Sequence, residues 1–156
     1  ETRPNVVLLG VHRLGERVLS ALQHDLHEPF VVVDFDPAVV RELSARNMPV
    51  VYGDAGDNLF LSSIKLHKAK LVISTIPSAT ISLSVLAFLR THRFHGSAVV
   101  CAHTESQAKA CYDAGADYVI MPSFLGGEKF RELLKDQQVR ASAWKRLGAK
   151  AKKILI

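Results

Sequence analysis

Residues 6–18 read VVLLGVHRLGERV and carry the strongest indication of the fold. Four apolar residues lead into Gly10, and Gly15 begins a run whose apolar residues recur at helical spacing. A buried strand that ends in a glycine loop and passes into a helix is typical of nucleotide-binding folds. The dinucleotide fingerprint has a second glycine where this chain has His12. The sequence therefore raises two questions: whether the loop holds a nucleotide, and which one.

The rest of the chain repeats the pattern of a short apolar run followed by a helical segment. Each apolar run is continuous rather than alternating, which is typical of strands covered by helices on both faces. The sequence therefore predicts an α/β fold, a Rossmann-like doubly wound parallel sheet with helices on both faces and right-handed crossovers. The predicted strands are residues 5–10, 30–36, 49–54, 70–75, 97–102 and 117–122. The predicted helices are residues 15–26, 37–47, 58–66, 81–92, 106–115 and 127–137.

Length and charge suggest one domain with an appendage. Of 156 residues, we assign 5–137 to the nucleotide-binding domain and 138–156 to a basic C-terminal helical tail. Every charged side chain from residue 140 onward is basic, and this accounts for the net charge of +5. The tail is either a solvated helix or frayed terminus, or a surface for phosphates or anionic lipid. No stretch has the apolar length to span a bilayer, and the two cysteines fit neither a disulfide framework nor a zinc site. We expect a cytoplasmic setting and no metal.

The predicted site lies at the carboxyl ends of the strands, where ligands of doubly wound sheets bind. Backbone N–H groups of the glycine loop and of the following helix would meet a phosphate. Gly10 permits the tight turn, Gly15 lets the helix pack on the strand, and Arg13 adds a cation. The predicted phosphate-binding residues are Gly10, Val11, His12, Arg13, Leu14 and Gly15.

Two further strand ends complete the predicted site. Asp34 follows Gly10 at about the 20-residue spacing of the ribose-binding carboxylate, which favours adenosine or NAD over NADP. Asp54 and Ala55, in the YGDAGD turn (52–57), are predicted to wall the adenine, and Phe35 and Thr75 adjoin them at strand ends. The alternative is a set of strand-to-helix turns and helix caps without a ligand.

Three segments together resemble a known family. VVLLGVHRLGERV (6–18), VVVDFDPAVVRELSARNMPVVYGDAGD (31–57) and KAKLVIST (68–75) are similar to the RCK/KTN (Trk-N) regulatory domain. This is the nucleotide-binding module of potassium channels and cation transporters, including Kef-type potassium efflux systems. The resemblance covers about residues 5–137. It implies a cytoplasmic, non-enzymatic domain that forms homodimers, binds AMP, ATP or NAD(H), and gates an attached cation transporter of the inner or plasma membrane.

The departures from the family pattern refine these expectations. His12 disfavours a closely held pyrophosphate, so AMP is the predicted nucleotide, with NAD(H) and ATP as alternatives. In Kef-type domains the fourth strand tends to end in Asn before acidic residues, and the fifth carries an Arg; these positions help to form a glutathione site. Here the fourth strand ends ISTIP (73–77), and Ala102 stands at the Arg position, although Arg13 is kept. The residues therefore disfavour glutathione or its adducts as a partner.

Two other functions are weighed against the regulatory one. An NAD(H)-binding redox sensor or a small NAD-dependent oxidoreductase would also use the fold, but an enzyme needs an acid/base pair beside the nicotinamide, and none stands out. Nucleic-acid binding through the basic tail would be strongly salt-dependent. We expect neither catalysis nor nucleic acid as a partner.

Overall fold

The computed structural model describes residues 4–155 and confirms the α/β prediction. The strands of its one sheet are β1 (Val6–Leu9), β2 (Phe30–Asp34), β3 (Val50–Tyr52), β4 (Leu71–Ser74), β5 (Ser97–Cys101) and β6 (Tyr118–Ile120). They lie in the order β3-β2-β1-β4-β5-β6, and all five strand pairs are parallel. The order reverses at β1, which lies between β2 and β4.

The apolar runs of the central strands are buried because helices cover both faces of the sheet. The helices are α1 (Arg13–His24), α2 (Pro37–Ala45), α3 (Asn58–Ser63), α4 (Ala79–Thr91), α5 (Glu105–Asp113), α6 (Pro122–Gln137) and α7 (Ala141–Ile154). Alternate residues of β1 enter two separate cores: Val7 and Leu9 pack with α3, α4 and α5, whereas Val6 and Leu8 pack with α1 and α2. The continuous apolar pattern therefore has its expected cause.

Polar side chains at the N-termini fix where four of these helices begin. The carboxylate of Asp36 accepts the Ala38 N–H at 2.9 Å, and Pro37 occupies the first turn of α2. Asp57, Ser78 and Thr104 accept backbone N–H groups in the same way at α3, α4 and α5. These short side chains satisfy N–H groups that have no partner within their own helix.

One predicted helix is shorter than its sequence pattern suggested. Residues 58–66 were expected to form one helix, but α3 ends at Ser63, and a 3₁₀ turn follows at Leu66–Lys68. Lys65 lies between them in the left-handed conformation, with a φ of 53°, and its N–H donates to the Ser62 carbonyl. This left-handed residue interrupts the hydrogen bonding of the helix, although the helical spacing of apolar residues continues past it.

The chain falls into two compact units, of which the first ends at Met121 and the second begins at Pro122. The second unit consists of α6 and α7, so the predicted basic tail forms a helix. Within this unit, the centroids of the Phe130 and Trp144 rings lie 5.9 Å apart. The Trp144 indole N–H donates to the Gln138 carbonyl at 2.8 Å. Within residues 4–155, no helix has the length and apolar character to cross a membrane.

Candidate functional site

A cavity of about 400 Å³ opens at the carboxyl edge of the sheet, where the strand order reverses. Residues from the ends of β1, β2, β3 and β4 and from the start of α4 surround it. This is the position at which doubly wound sheets bind their ligands. The lining residues are Gly10, His12, Val33, Asp34, Phe35, Gly53, Asp54, Ala55, Thr75, Ile76, Pro77 and Ile81.

The glycine loop has a backbone that requires both of its glycines. Gly10 has a φ of +87°, in the left-handed region, and a Cβ there would lie 2.8 Å from the Ile76 side chain. At Gly15 a Cβ would lie 2.6 Å from the Gly10 carbonyl oxygen and 2.9 Å from Thr75 Oγ1. Close packing of α1 against the end of β1 therefore depends on Gly15.

Thr75 fixes the same loop from the neighbouring strand. Its hydroxyl donates to the Gly10 carbonyl at 2.9 Å, and its N–H donates to the Leu9 carbonyl at 3.0 Å. The Thr75 side chain is buried, so both polar groups are satisfied within the fold. Thr75 thus contributes to the cavity wall and also holds the turn that begins the glycine loop.

His12 stands where the fingerprint has glycine, and its backbone is extended, with φ −122° and ψ −168°. Any residue adopts this conformation, so the backbone at this position does not require glycine. The His12 side chain lines the cavity and makes no capping hydrogen bond to α1. Histidine at this position therefore places an imidazole in the cavity wall without straining the backbone.

Asp34 lies at the end of β2 with only 6% of its surface exposed. Its Oδ2 accepts the Val11 N–H at 2.9 Å, and its Oδ1 accepts the Asp36 N–H at 2.9 Å. Each carboxylate oxygen can accept a second hydrogen bond, so these contacts leave acceptor capacity towards the cavity. The Asp34 carboxylate therefore both supports the glycine loop and forms part of the cavity wall.

The turn after β3 forms another part of the cavity wall. Asp54 Oδ1 accepts the Gly56 N–H at 2.8 Å, which closes the turn on itself, and Ala55 is buried beside it. A Cβ at Gly53 would lie 2.1 Å from the Phe60 ring, so Gly53 lets α3 pack against the turn. The result is a small-residue surface at the cavity.

The structure brings most of the predicted site residues together. Those that line the cavity are Gly10, His12, Asp34, Phe35, Asp54, Ala55 and Thr75, and those that do not are Val11, Arg13, Leu14 and Gly15. Sequence reasoning missed Val33, Gly53, Ile76, Pro77 and Ile81. Ile76 and Pro77 directly follow Thr75 at the end of β4, so their position after a strand end could have identified them. Ile81 comes from the first turn of α4, and no sequence pattern marks it. The assignment of these residues to a nucleotide stays a prediction.

The two cysteines of the chain lie outside the cavity lining. Cys101 and Cys111 are buried, and burial raises the pKa of each thiol, with charge repulsion from Cys111 as a smaller cause at Cys101. A raised pKa keeps a thiol protonated and unreactive. Among the described residues, no group of three or more His, Cys, Asp or Glu could hold a metal ion.

Comparisons with known proteins agree with the sequence resemblance. The family model described as the TrkA-N domain matches residues 6–122. The chain is 29% identical over 123 residues to a putative K(+) efflux antiporter KefB of Alkalimonas amylolytica, covering 79% of this chain and 18% of that protein. The chain thus spans less than a fifth of the length of this curated relative.

The fold is shared with solved structures. The TrkA-N domain of the inner membrane protein ybaL from Escherichia coli superimposes with a TM-score of 0.79 at 25% identity, covering 86% of this chain and 98% of that one. The Kef CTD of Shewanella denitrificans in its AMP-bound form superimposes with a TM-score of 0.70 at 19% identity, covering 95% of this chain and 90% of that one. The GsuK channel bound to NAD superimposes with a TM-score of 0.67 at 19% identity, covering 78% of this chain and 22% of that one.

Proposed function

Because the chain belongs to the TrkA-N domain family, we propose that it is a regulatory domain that binds an adenine nucleotide, AMP, and thereby gates an attached potassium efflux protein. The domain binds without turnover. It acts as a homodimer through its Rossmann domain, on the cytoplasmic side of the membrane that holds the transporter. The potassium-efflux relative and the AMP-bound Kef domain support this proposal at the level of the family and the fold.

One observation carries the nucleotide assignment: the buried Asp34 carboxylate lines a cavity at the strand-order reversal beside the glycine loop. In the proposed complex the ribose hydroxyls donate to Asp34. The adenine lies against the small-residue wall at Ala55 and the apolar surface of Ile76. The phosphate meets the N-terminus of α1, where unpaired N–H groups and the helix dipole favour an anion.

His12 is the reason for proposing AMP before NAD. Its side chain occupies the space that a glycine would leave for a pyrophosphate, and it adds a donor for a single phosphate. Arg13, exposed at the start of α1, supplies a second cation near the phosphate. NAD(H) and ATP are the alternatives, and the NAD-bound GsuK channel, which shares the fold, favours keeping NAD(H) in the test.

Regulation follows from differential binding. A nucleotide shifts a transporter between two states only if the domain binds it with different affinity in each state. Binding also stabilises the domain itself, by about 2.7 kcal/mol at a nucleotide concentration one hundred times the dissociation constant. This stabilisation makes the ligand measurable on the isolated chain.

The test is mass spectrometry of any nucleotide released from the denatured, purified chain, together with thermal shifts against AMP, ATP, NADH and NADPH. We expect AMP to be released or to raise Tm most, and NADPH to raise it least because its 2′-phosphate meets the Asp34 carboxylate. Selective stabilisation by NADH would overturn the AMP assignment. The absence of both a released nucleotide and any shift would overturn nucleotide binding itself.

A further inference from the structure

A second cavity, of about 460 Å³, lies at the amino ends of β4 and β5. In a parallel sheet this edge is opposite to the edge that holds the candidate nucleotide site. Two loops form the cavity, one before β4 and one before β5, and we call it the amino-edge cavity. Its basic and histidine lining residues are His67, Lys68, Lys70, His92, Arg93 and His95.

Backbone contacts hold the two loops together. The Ser97 N–H donates to the Lys70 carbonyl at 2.9 Å. A Cβ at Gly96 would lie 2.4 Å from the Lys70 carbonyl oxygen, so glycine permits this close approach. The position of the cavity is thus set by the main chain and does not depend on its charged side chains.

The residues at the end of α4 form one wall of the cavity. The His92 ring stacks on Phe88, with 4.0 Å between ring centroids, and His92 Nδ1 lies 2.9 Å from the Phe88 carbonyl oxygen. Because a carbonyl only accepts, Nδ1 carries the proton and Nε2 is left as the other polar atom of the ring. Arg93 follows in the left-handed conformation, with a φ of 54°, which turns the chain towards β5.

The charges around the amino-edge cavity are of one sign. No carboxylate lines it, and Lys68, Lys70 and Arg93 form no ion pair within residues 4–155. The C-terminal end of α4 favours nearby cations, but this effect is confined to the last turn of that helix. Lys68 and Lys70 come from the other loop. Their convergence with Arg93 therefore gives a concave surface of uncompensated positive charge, which concentrates anions.

We propose that the amino-edge cavity is a second ligand site, which binds a phosphate group. The Arg93 guanidinium matches two phosphate oxygens with a planar pair of donors, and Lys68 and Lys70 supply the remaining charge. The phosphate belongs either to a soluble phosphate ester or to the headgroup of an anionic lipid, since both present the same oxygens. The site is separate from the proposed nucleotide site and does not depend on it.

The test is a pyrophosphate titration followed by ¹H–¹⁵N NMR at constant ionic strength. We expect saturable shifts of amides in residues 66–70 and 92–97. The variant K68Q/K70Q/R93Q should lose about tenfold or more in affinity. The matched control, R17Q/R41Q/K109Q, removes three exposed cations from α1, α2 and α5 and should keep wild-type affinity. The Tm of both variants shows that the fold is retained.

Two results would overturn the proposal: shifts confined to residues 10–15, or an equal loss of affinity in the site and control variants, which indicates nonspecific attraction. Flotation with phosphatidylcholine vesicles, with and without phosphatidic acid, separates the two sources of phosphate. Wild-type flotation that requires phosphatidic acid and is lost in K68Q/K70Q/R93Q assigns a lipid headgroup. Pyrophosphate binding without flotation assigns a soluble ester. Because the NMR readout is local, failure of the AMP proposal would leave this test unaffected.

Discussion

The Asp34 carboxylate accepts the Val11 N–H at 2.9 Å and so joins two strand ends 23 residues apart. The residue proposed to bind ribose thus also supports the glycine loop. Its second oxygen accepts the Asp36 N–H and fixes the turn into α2. Binding and local stability are therefore coupled at one carboxylate, and a substitution there acts on both.

Replacing Asp34 by Asn should reduce both stability and nucleotide binding. The amide has one acceptor oxygen in place of two, so one of the two backbone N–H groups loses its partner. We expect the free energy of unfolding to fall by about 1–3 kcal/mol, and the affinity for AMP to fall about tenfold or more. Urea denaturation and isothermal titration calorimetry measure the two effects.

The matched control for this prediction is Asp36→Asn. Asp36 caps α2 and lies outside the cavity lining, and Asn is as good an N-cap as Asp. We expect AMP affinity to stay at the wild-type value and stability to change little. Wild-type AMP affinity in Asp34→Asn would contradict the ribose role.

Gly15→Ala should destabilise the domain through a backbone clash. The new Cβ would lie 2.6 Å from the Gly10 carbonyl oxygen, so α1 must move away from β1. We expect the free energy of unfolding, measured by urea denaturation, to fall by about 1–3 kcal/mol. AMP binding should also weaken because the loop is displaced. The control Gly148→Ala places a Cβ in open space on α7 and should be neutral or stabilising by up to about 1 kcal/mol. Equal effects of the two substitutions would show that close packing at Gly15 is not required.

The features that sequence predicted well are those that the backbone itself imposes. A strand that ends in a glycine loop needs a left-handed turn at Gly10 and close helix packing at Gly15, and spacing alone indicates both. Continuous apolar runs predicted the sheet because both faces are buried. The hydrogen bond from the Val11 N–H to Asp34 was not predicted, since it joins two strand ends that lie far apart in the chain.

Other features depend on how distant segments pair. Ile81 reaches the cavity only because α4 begins above the end of β4, which no periodicity reveals. Lys70 and Arg93 line the same cavity because β4 and β5 pair with Leu71 opposite Ser97. The early end of α3 depends on the left-handed conformation of Lys65, which its helical spacing does not signal. Such features follow from tertiary arrangement and could not be predicted from local pattern.

The buried cysteines predict a loss of stability at alkaline pH. Burial raises the pKa of Cys101 and Cys111 above their ordinary 9.0, so the unfolded chain releases these protons at a lower pH than the folded one. Stability is therefore unaffected by them below about pH 9 and falls as pH rises from there towards the folded-state pKa values. The urea midpoint of wild type should decline more steeply above pH 9 than that of C101A/C111A. Parallel pH profiles would contradict this account.

His12→Gly tests whether this side chain selects the nucleotide. The extended backbone at residue 12 accepts either residue, so the loop should keep its path while the cavity gains space. We expect AMP affinity to fall by about threefold to tenfold through loss of a phosphate donor, and NADH affinity to rise relative to AMP. The control His27→Gly removes an exposed histidine outside the cavity lining and should change neither affinity. Calorimetric titration of both nucleotides gives the ratio of the AMP affinity to the NADH affinity. An unchanged ratio in His12→Gly would mean that the remaining loop residues set the preference for AMP.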